Sequence, residues 1–283
     1  MTRPLHTDDI APRRRPPRSL NVVRDVGYPV DVDWSSWYLT DEDDMGQNPA
    51  QSKAIEVLFR SAPVRLAELG REDAFVGFDA FFAWVEAEPL VRVSPDLYVL
   101  PERPEPMPLS FQTWRDGHEP PELAVEIVSS DWKKDYEDNP AKYAQLGVRE
   151  LVIFDAAAMA TRRPEERFVF QVYRRSVDGL LIEVYRGPGP AWSKTLDAFF
   201  VAVAGVDGWA SVPRLSYDAA GRDLIPTLAE KVARERDEAA RERDEAARER
   251  DEAARERDEE RARREDAEAR IRELEARLAE LNE

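Results

Sequence analysis

The run Ala-Arg-Glu-Arg-Asp-Glu-Ala begins at residues 233, 240 and 247 before the pattern drifts. Identity that recurs every seven residues means a long helix. Pairs such as Asp237 with Arg241, Asp244 with Arg248 and Asp251 with Arg255 support it along the surface. From about Ile225 onward such a helix would extend on the order of 80 Å at about 1.5 Å per residue. Its apolar seam is Ile271, Leu274, Leu278 and Leu281. Carried backwards, that register meets Arg236, Arg243, Arg250, Arg257 and Arg264 at one seam position and mostly alanine at the other. Two states suit so thin a seam: a weak dimeric coiled coil closed near its end by the leucines, or a solitary charged spacer. Self-association, giving a homodimer through the C-terminal helix, is the expectation.

The rest of the chain has a different character. With 283 residues and 42 % hydrophobic content it can bury a core. Cysteine is absent, which removes disulfides, thiolate catalysis and sulfur-based zinc sites. His6 and His118 lie far apart, so neither a histidine metal site nor a Ser-His-Asp triad has support. The formal charge of -17 disfavours a general nucleic-acid coat, since affinity for a polyanion comes largely from Lys and Arg. It also discourages adhesion to anionic membranes. Residues 1–45 open with Pro12-Arg13-Arg14-Arg15-Pro16-Pro17-Arg18, too proline-rich for a helix and without the apolar stretch of an export signal. They read as a mostly disordered or extended arm, and the expected location is cytoplasmic. Val30 to Trp34 alternates like a strand, and Thr40 to Asp44 reads as an acidic turn before the first helix.

Between these ends the pattern alternates helix and strand. Pro49 to Leu69 has helical spacing, with Pro63 expected to break or kink it. Residues 74–78 and 81–85 read as paired strands around an Asp79-Ala80 turn. The Pro-rich residues 101–108 form a stiff excursion, with Trp114 and Arg115 further along placed to border a substrate cleft or to pack on the core. Glu150 to Asp155 reads as a buried strand entered through Gly147, parallel to the strand around Glu126 by a right-handed crossover. Asp178-Gly179 marks a hairpin. Trp192 to Val203 suggests a short strand and a helix, and Leu215 to Leu224 a hairpin-like addition.

Two carboxylates stand out. Asp96 precedes Leu97-Tyr98-Val99-Leu100, and Glu126 interrupts Leu123-Ala124-Val125 and Ile127-Val128. A charge inside such a run is costly unless neutralised. On neighbouring strands the two acids would form a site for Mg²⁺ or Mn²⁺, hard cations that take oxygen ligands. Taken singly, Asp96 reads as a turn residue and Glu126 as a salt-bridged core glutamate.

Pro95-Asp96, the Glu126 strand, Asp135, Lys142-Tyr143 and Leu146 to Leu151 leading to Asp155 occur in an order that resembles the Uma-type restriction endonuclease family of the PD-(D/E)XK nuclease superfamily. The likeness spans roughly Gly46 to Gly189. It implies an α/β fold, a restriction-endonuclease-like mixed sheet flanked by helices over residues 46–222, with residues 223–283 as the charged helix. It further implies metal-dependent cleavage of DNA, with Asp96 and Glu126 as metal ligands beside the Ile127 carbonyl, and Lys142 as the catalytic lysine. Two departures matter. The superfamily lysine two residues after the glutamate is Val128 here, and the family's lysine one turn before the tyrosine is Asn139. Asn139-Pro140 reads as a helix cap, which would set Lys142 in the opening turn, and Lys133 and Lys134 are alternative sources of the positive charge. Where relatives carry an acid or histidine near the first helix start, this chain has Gln47 and Gln51, with Glu56 a possible third acid. The first expectation is thus a Mg²⁺-dependent endonuclease; the second is a catalytically inactive nuclease-fold scaffold that self-associates through its last helix.

Overall fold

The fold is taken from a computed structural model, which describes residues 21–25, 28–31, 38, 49–128, 132–159, 167–205 and 211–281. The Pro-Arg cluster, the acidic turn at 40–44, Gln47 and Asp131 lie outside the described residues. The elements in order are β1 (Asn21–Asp25), β2 (Tyr28–Asp31), α1 (Pro49–Glu68), β3 (Phe75–Gly77), β4 (Phe81–Ala83), β5 (Arg92–Val93), β6 (Leu97–Leu100), β7 (Ser110–Gln112), β8 (Leu123–Ile127), α2 (Trp132–Leu146), β9 (Glu150–Phe154), β10 (Phe170–Arg175), β11 (Leu181–Gly187), β12 (Ala191–Ser193), β13 (Ala198–Val203), β14 (Val212–Ser216) and α3 (Leu228–Leu281). Contacts divide the chain into Met1–Leu228 and Ala229–Glu283.

The first unit is built on a six-stranded mixed sheet of order β11-β10-β9-β8-β6-β3. Only β8 and β9 run parallel within it, joined through α2 as the strand–helix–strand pattern predicts. Period-two alternation sorts the side chains onto two faces. Leu97, Val99, Leu123, Val125, Val152, Phe154, Phe170 and Val172 join one core with α1 and with the β12-β13-β14 sheet. Tyr98, Leu100, Ala124, Leu151, Ile153 and Tyr173 join the other with Tyr143 and Leu146 of α2. Gly77 lies opposite Tyr98, and a Cβ there would collide with the hydroxyl end of the buried tyrosine, which glycine in the edge strand β3 avoids. Gly147, at φ 100°, ends α2 as expected, while its N–H and that of Val148 each donate to the Tyr143 carbonyl at 3.2 Å.

Several local expectations are corrected. Residues 75–77 and 81–83 do not pair with each other: β3 joins β6, while β4 lies between β5 and β7 in a separate three-stranded sheet. Asp79, at φ 53°, redirects the chain between them, a backbone conformation that aspartate tolerates better than most residues. Helix α1 continues through Pro63, because Leu58, Ala62, Val64 and Leu66 on both sides of the proline are buried in the core. The 192–203 segment is the β12-β13 hairpin rather than a strand and helix, and Ser216 bridges Leu224 after β14. The hairpin at Asp178-Gly179 joins β10 and β11, and β1 pairs with β2 inside the amino-terminal arm.

Buried ion pairs fix the sheet to its surroundings. Glu150, 2 % exposed, accepts hydrogen bonds from Arg174 Nε at 2.9 Å, Ser193 Oγ at 2.7 Å and the backbone N–H groups of Lys194 and Thr195 at 2.9 and 3.0 Å. Asp155 pairs with Arg167 through two 2.7 Å bonds and accepts the Tyr136 hydroxyl at 2.9 Å. It also caps the short 3₁₀ turn Ala156–Met159 through the N–H groups of Ala157 and Ala158. Asp155 thus caps a turn and anchors an ion pair at the exit of β9.

The second unit is the α3 helix. Its ion pairs include Glu259–Arg263, Glu260–Arg264 and Glu273–Arg277, each four residues apart. Among the described residues no helix is long and apolar enough to cross a membrane.

Candidate active site

The register of β6 against β8 pairs Leu97 with Val125. Continued by one residue, that register would set Asp96, just before β6, across from Glu126, and the charge of Asp96 acts on the Glu126 carboxyl. Asp96 is 8 % exposed. Its Oδ2 accepts the Ile127 N–H at 2.7 Å, and its Oδ1 accepts Gln51 Nε2 at 2.9 Å from the first turn of α1. Glu126 is the one residue of β8 that keeps some exposure, while its carboxyl end is turned into the fold. Its Oε1 accepts a hydrogen bond from the hydroxyl of Tyr143, itself fully buried.

Helix α2 starts at Trp132 and includes Asn139 and Pro140, so the expected cap at Asn139 is corrected. Pro140 removes one intrahelical donor, but Pro140, Ala141 and Tyr143 are all buried and hold the helix on the sheet. Lys142 accordingly lies almost three turns into the helix, beside Tyr143, and is 5 % exposed. Lys133 and Lys134 are exposed in the first turn. Asn139 donates from Nδ2 to Asp135 Oδ1 at 3.3 Å, which uses the position of the absent lysine to orient another acid.

Charge is concentrated here with little solvent to dilute it. Burial pushes the Asp96 carboxyl up to about 6, against the hydrogen bonds from Ile127 and Gln51, with the charges of Asp135 and Asp79 adding to the rise. Burial and then the charge of Asp96 raise the Glu126 carboxyl well above its ordinary range. Burial pulls the Lys142 ammonium down to about 8, and the charge of Lys134 lowers it further. Asp135, buried in the first turn of α2, acts on Asp96, Glu126 and Lys142 alike. The sequence named Asp135 only as part of an ordered pattern; its placement depends on where α2 begins.

A pH dependence follows. The neutral form of Asp96 is favoured by folding, so its contribution to stability is complete below the ordinary 3.8 and is lost as pH rises through about 6. Metal-free Asp96→Asn lacks this loss. Chemical denaturation is expected to show the variant gaining on the wild type across that interval, up to roughly 3 kcal/mol for a shift of this size; a pH-independent difference would refute the assignment.

The excursion between the acid-bearing strands does not border this site as anticipated. It leaves β6 at Leu100 and enters β8 at Leu123, the end of the pair away from Asp96 and Glu126. A cleft of about 560 Å³ lies there, lined by Arg103, Arg115 and His118 among others, and includes none of Asp96, Glu126 and Lys142. Trp114 is half-buried.

Residues 45–201, more than half of the chain, match the Uma2 family, described as "Putative restriction endonuclease". The chain belongs to the Uma2 family. No curated relative matches it at a significant level. Among similar solved structures is that of a "putative nuclease belonging to DUF820" from Anabaena variabilis, 16 % identical, with a TM-score of 0.34 over 54 % of this chain and 75 % of that one. The Uma2 match contains every residue of the cluster, from Gln51 in α1 to Tyr143 in α2.

Proposed function

We propose that the chain is a Mg²⁺- or Mn²⁺-dependent endonuclease that hydrolyses phosphodiester bonds in DNA, with Asp96 and Glu126 as metal ligands and Lys142 as the catalytic cation. The observation that carries this reading is the neighbouring pair of carboxylates, Asp96 bound to the N–H of the residue after Glu126, both held above their ordinary range by burial and by neighbouring negative charge. A divalent cation would offset the negative charge that Asp96, Glu126 and Asp135 bring together. Membership of a family described as restriction endonucleases supports the same reaction class.

The donors suit such an ion. Among the described residues no three acids or histidines are grouped as a ligand set, but Mg²⁺ binds through one or two carboxylates and keeps several waters. Asp96 and Glu126 would hold it together with the Ile127 carbonyl. When bound, the ion supplies polarisation of the scissile phosphate and a more acidic water. The chain's own residues do the rest. Gln51 and the Ile127 N–H fix the Asp96 carboxylate, and the Tyr143 hydroxyl fixes Glu126. Lys142, still protonated at neutral pH with its ammonium near 8, stabilises the negative charge that grows on the phosphate. Lys133 and Lys134, exposed at the start of α2, meet backbone phosphates and offset locally the overall acidity. Self-association through α3 would supply two such sites, one for each DNA strand.

The test is cleavage of supercoiled plasmid by the purified protein. Nicking with Mg²⁺ or Mn²⁺, abolished by chelation, is the expected result, together with ion binding by calorimetry that weakens at least about tenfold in Asp96→Ala. Intact DNA under both ions with no binding heat would overturn the proposal and leave the non-catalytic scaffold reading.

A further inference from the structure

We infer that α3 joins two copies of this chain in parallel and in register, and that residues 256–281 specify this pairing. The inference rests on the self-association proposed above and adds its orientation and its extent. Ile271 and Leu274 are 55 % and 53 % exposed on the single helix, although they are apolar and three residues apart on one face. Taking Ile271 as position a and Leu274 as position d puts a β-branched residue and a leucine where parallel two-stranded coils favour them. The sequence continues that spacing at 278 and 281.

The flanking charges favour the same arrangement. In a parallel pair each g residue faces the e residue five positions later on the partner. Here those pairs are Glu256 with Arg261, Arg263 with Glu268, and Arg270 with Glu275, all of opposite sign. In the upstream repeat the corresponding pairs are Glu235 with Ala240, Glu242 with Ala247 and Glu249 with Ala254, which carry no charge complementarity. Specificity is thus confined to the last part of the helix. Within one chain Arg261 pairs with Asp258 and Arg263 with Glu259. Both pairs are well exposed, and such pairs contribute little, so exchanging them for contacts to the partner is cheap.

Reversing one helix loses these advantages. With the helices fully overlapped and antiparallel, Ile271 would face Ala239 and Leu274 would face Arg236, which disperses the apolar surface instead of closing it. Overlapping only the apolar ends would bring Glu275 near Glu275 of the other copy.

The absence of cysteine from the chain makes the orientation directly testable. Full-length Leu274→Cys under mild oxidation is expected to convert to a disulfide-linked dimer, and sedimentation of the reduced wild type to show dimers. Arg263→Glu with Arg270→Glu, which turns attraction into like-charge repulsion, is expected to weaken dimerisation roughly tenfold or more, within the range of several exposed pairs acting together. A wild type that stays monomeric at every concentration overturns both the self-association and its orientation. Dimers that yield a mixed disulfide between Leu274→Cys and Arg236→Cys chains, but none between two Leu274→Cys chains, overturn the parallel arrangement alone.

Discussion

Glu126→Gln is expected to lose at least about 10²–10³-fold of the divalent-ion-dependent DNA cleavage, within the range seen when one group that stabilises transition-state charge is removed. The same variant is expected to be at least as stable as the wild type without metal. The two effects have one origin. Glu126 stands near Asp96 in a site where burial and that neighbouring charge disfavour its ionised form. An amide of the same shape can still accept the Tyr143 hydroxyl while removing the repulsion, but it lacks the charge that would draw in a cation. Sites that hold like charges together commonly trade stability for function in this way. Thermal denaturation in chelator and plasmid nicking in Mg²⁺, measured on the same preparation, check both halves. A variant that is less stable and equally active would remove Glu126 from the site.

Glu150→Ala is expected to destabilise the fold by about 3–5 kcal/mol, the usual range for breaking a buried ion pair from one side. The carboxylate is 2 % exposed and receives an arginine, a serine hydroxyl and two backbone N–H groups. Alanine leaves those backbone donors without an acceptor, at a cost of about 1–3 kcal/mol for each buried group, although Arg174, partly exposed, can turn to water. For a domain of this size the loss amounts to a fall in Tm on the order of 10 °C. Calorimetric unfolding would show it, and a shift of only a degree or two would mean that the network is ornamental. Since β9 lies beside β8, Glu150→Ala is also expected to impair cleavage without touching any residue of the site.

The acid pair was legible because both residues interrupt or adjoin apolar runs, and the parallel crossover followed from strand, helix and strand in sequence. The partners of the acids were less so. Gln51 reaches Asp96 from 45 positions away, a contact set by how α1 crosses the sheet and by no local pattern. The start of α2 was misplaced for a similar reason. Asn-Pro is a strong local signal for a helix start, but burial of Asn139, Pro140 and Ala141 outweighs one missing hydrogen bond, and Lys142 moves from the helix opening to its interior. Pairing of 74–78 with 81–85 failed because adjacency in sequence is only a tendency; Asp79 instead sends the chain into a second sheet.

The position of Glu126 within the strand order has a dynamic consequence. Strand β8 has β9 on one side and β6 on the other, so its backbone amides can exchange with deuterium only through an opening that separates inner strands, the rarest fluctuation a sheet undergoes. The carboxylate is therefore anchored to one of the inner strands, which are expected to open least often. Under the proposed function, substrate would adapt to a fixed anion, and any adjustment during turnover would fall to the helices that carry Gln51 and Lys142.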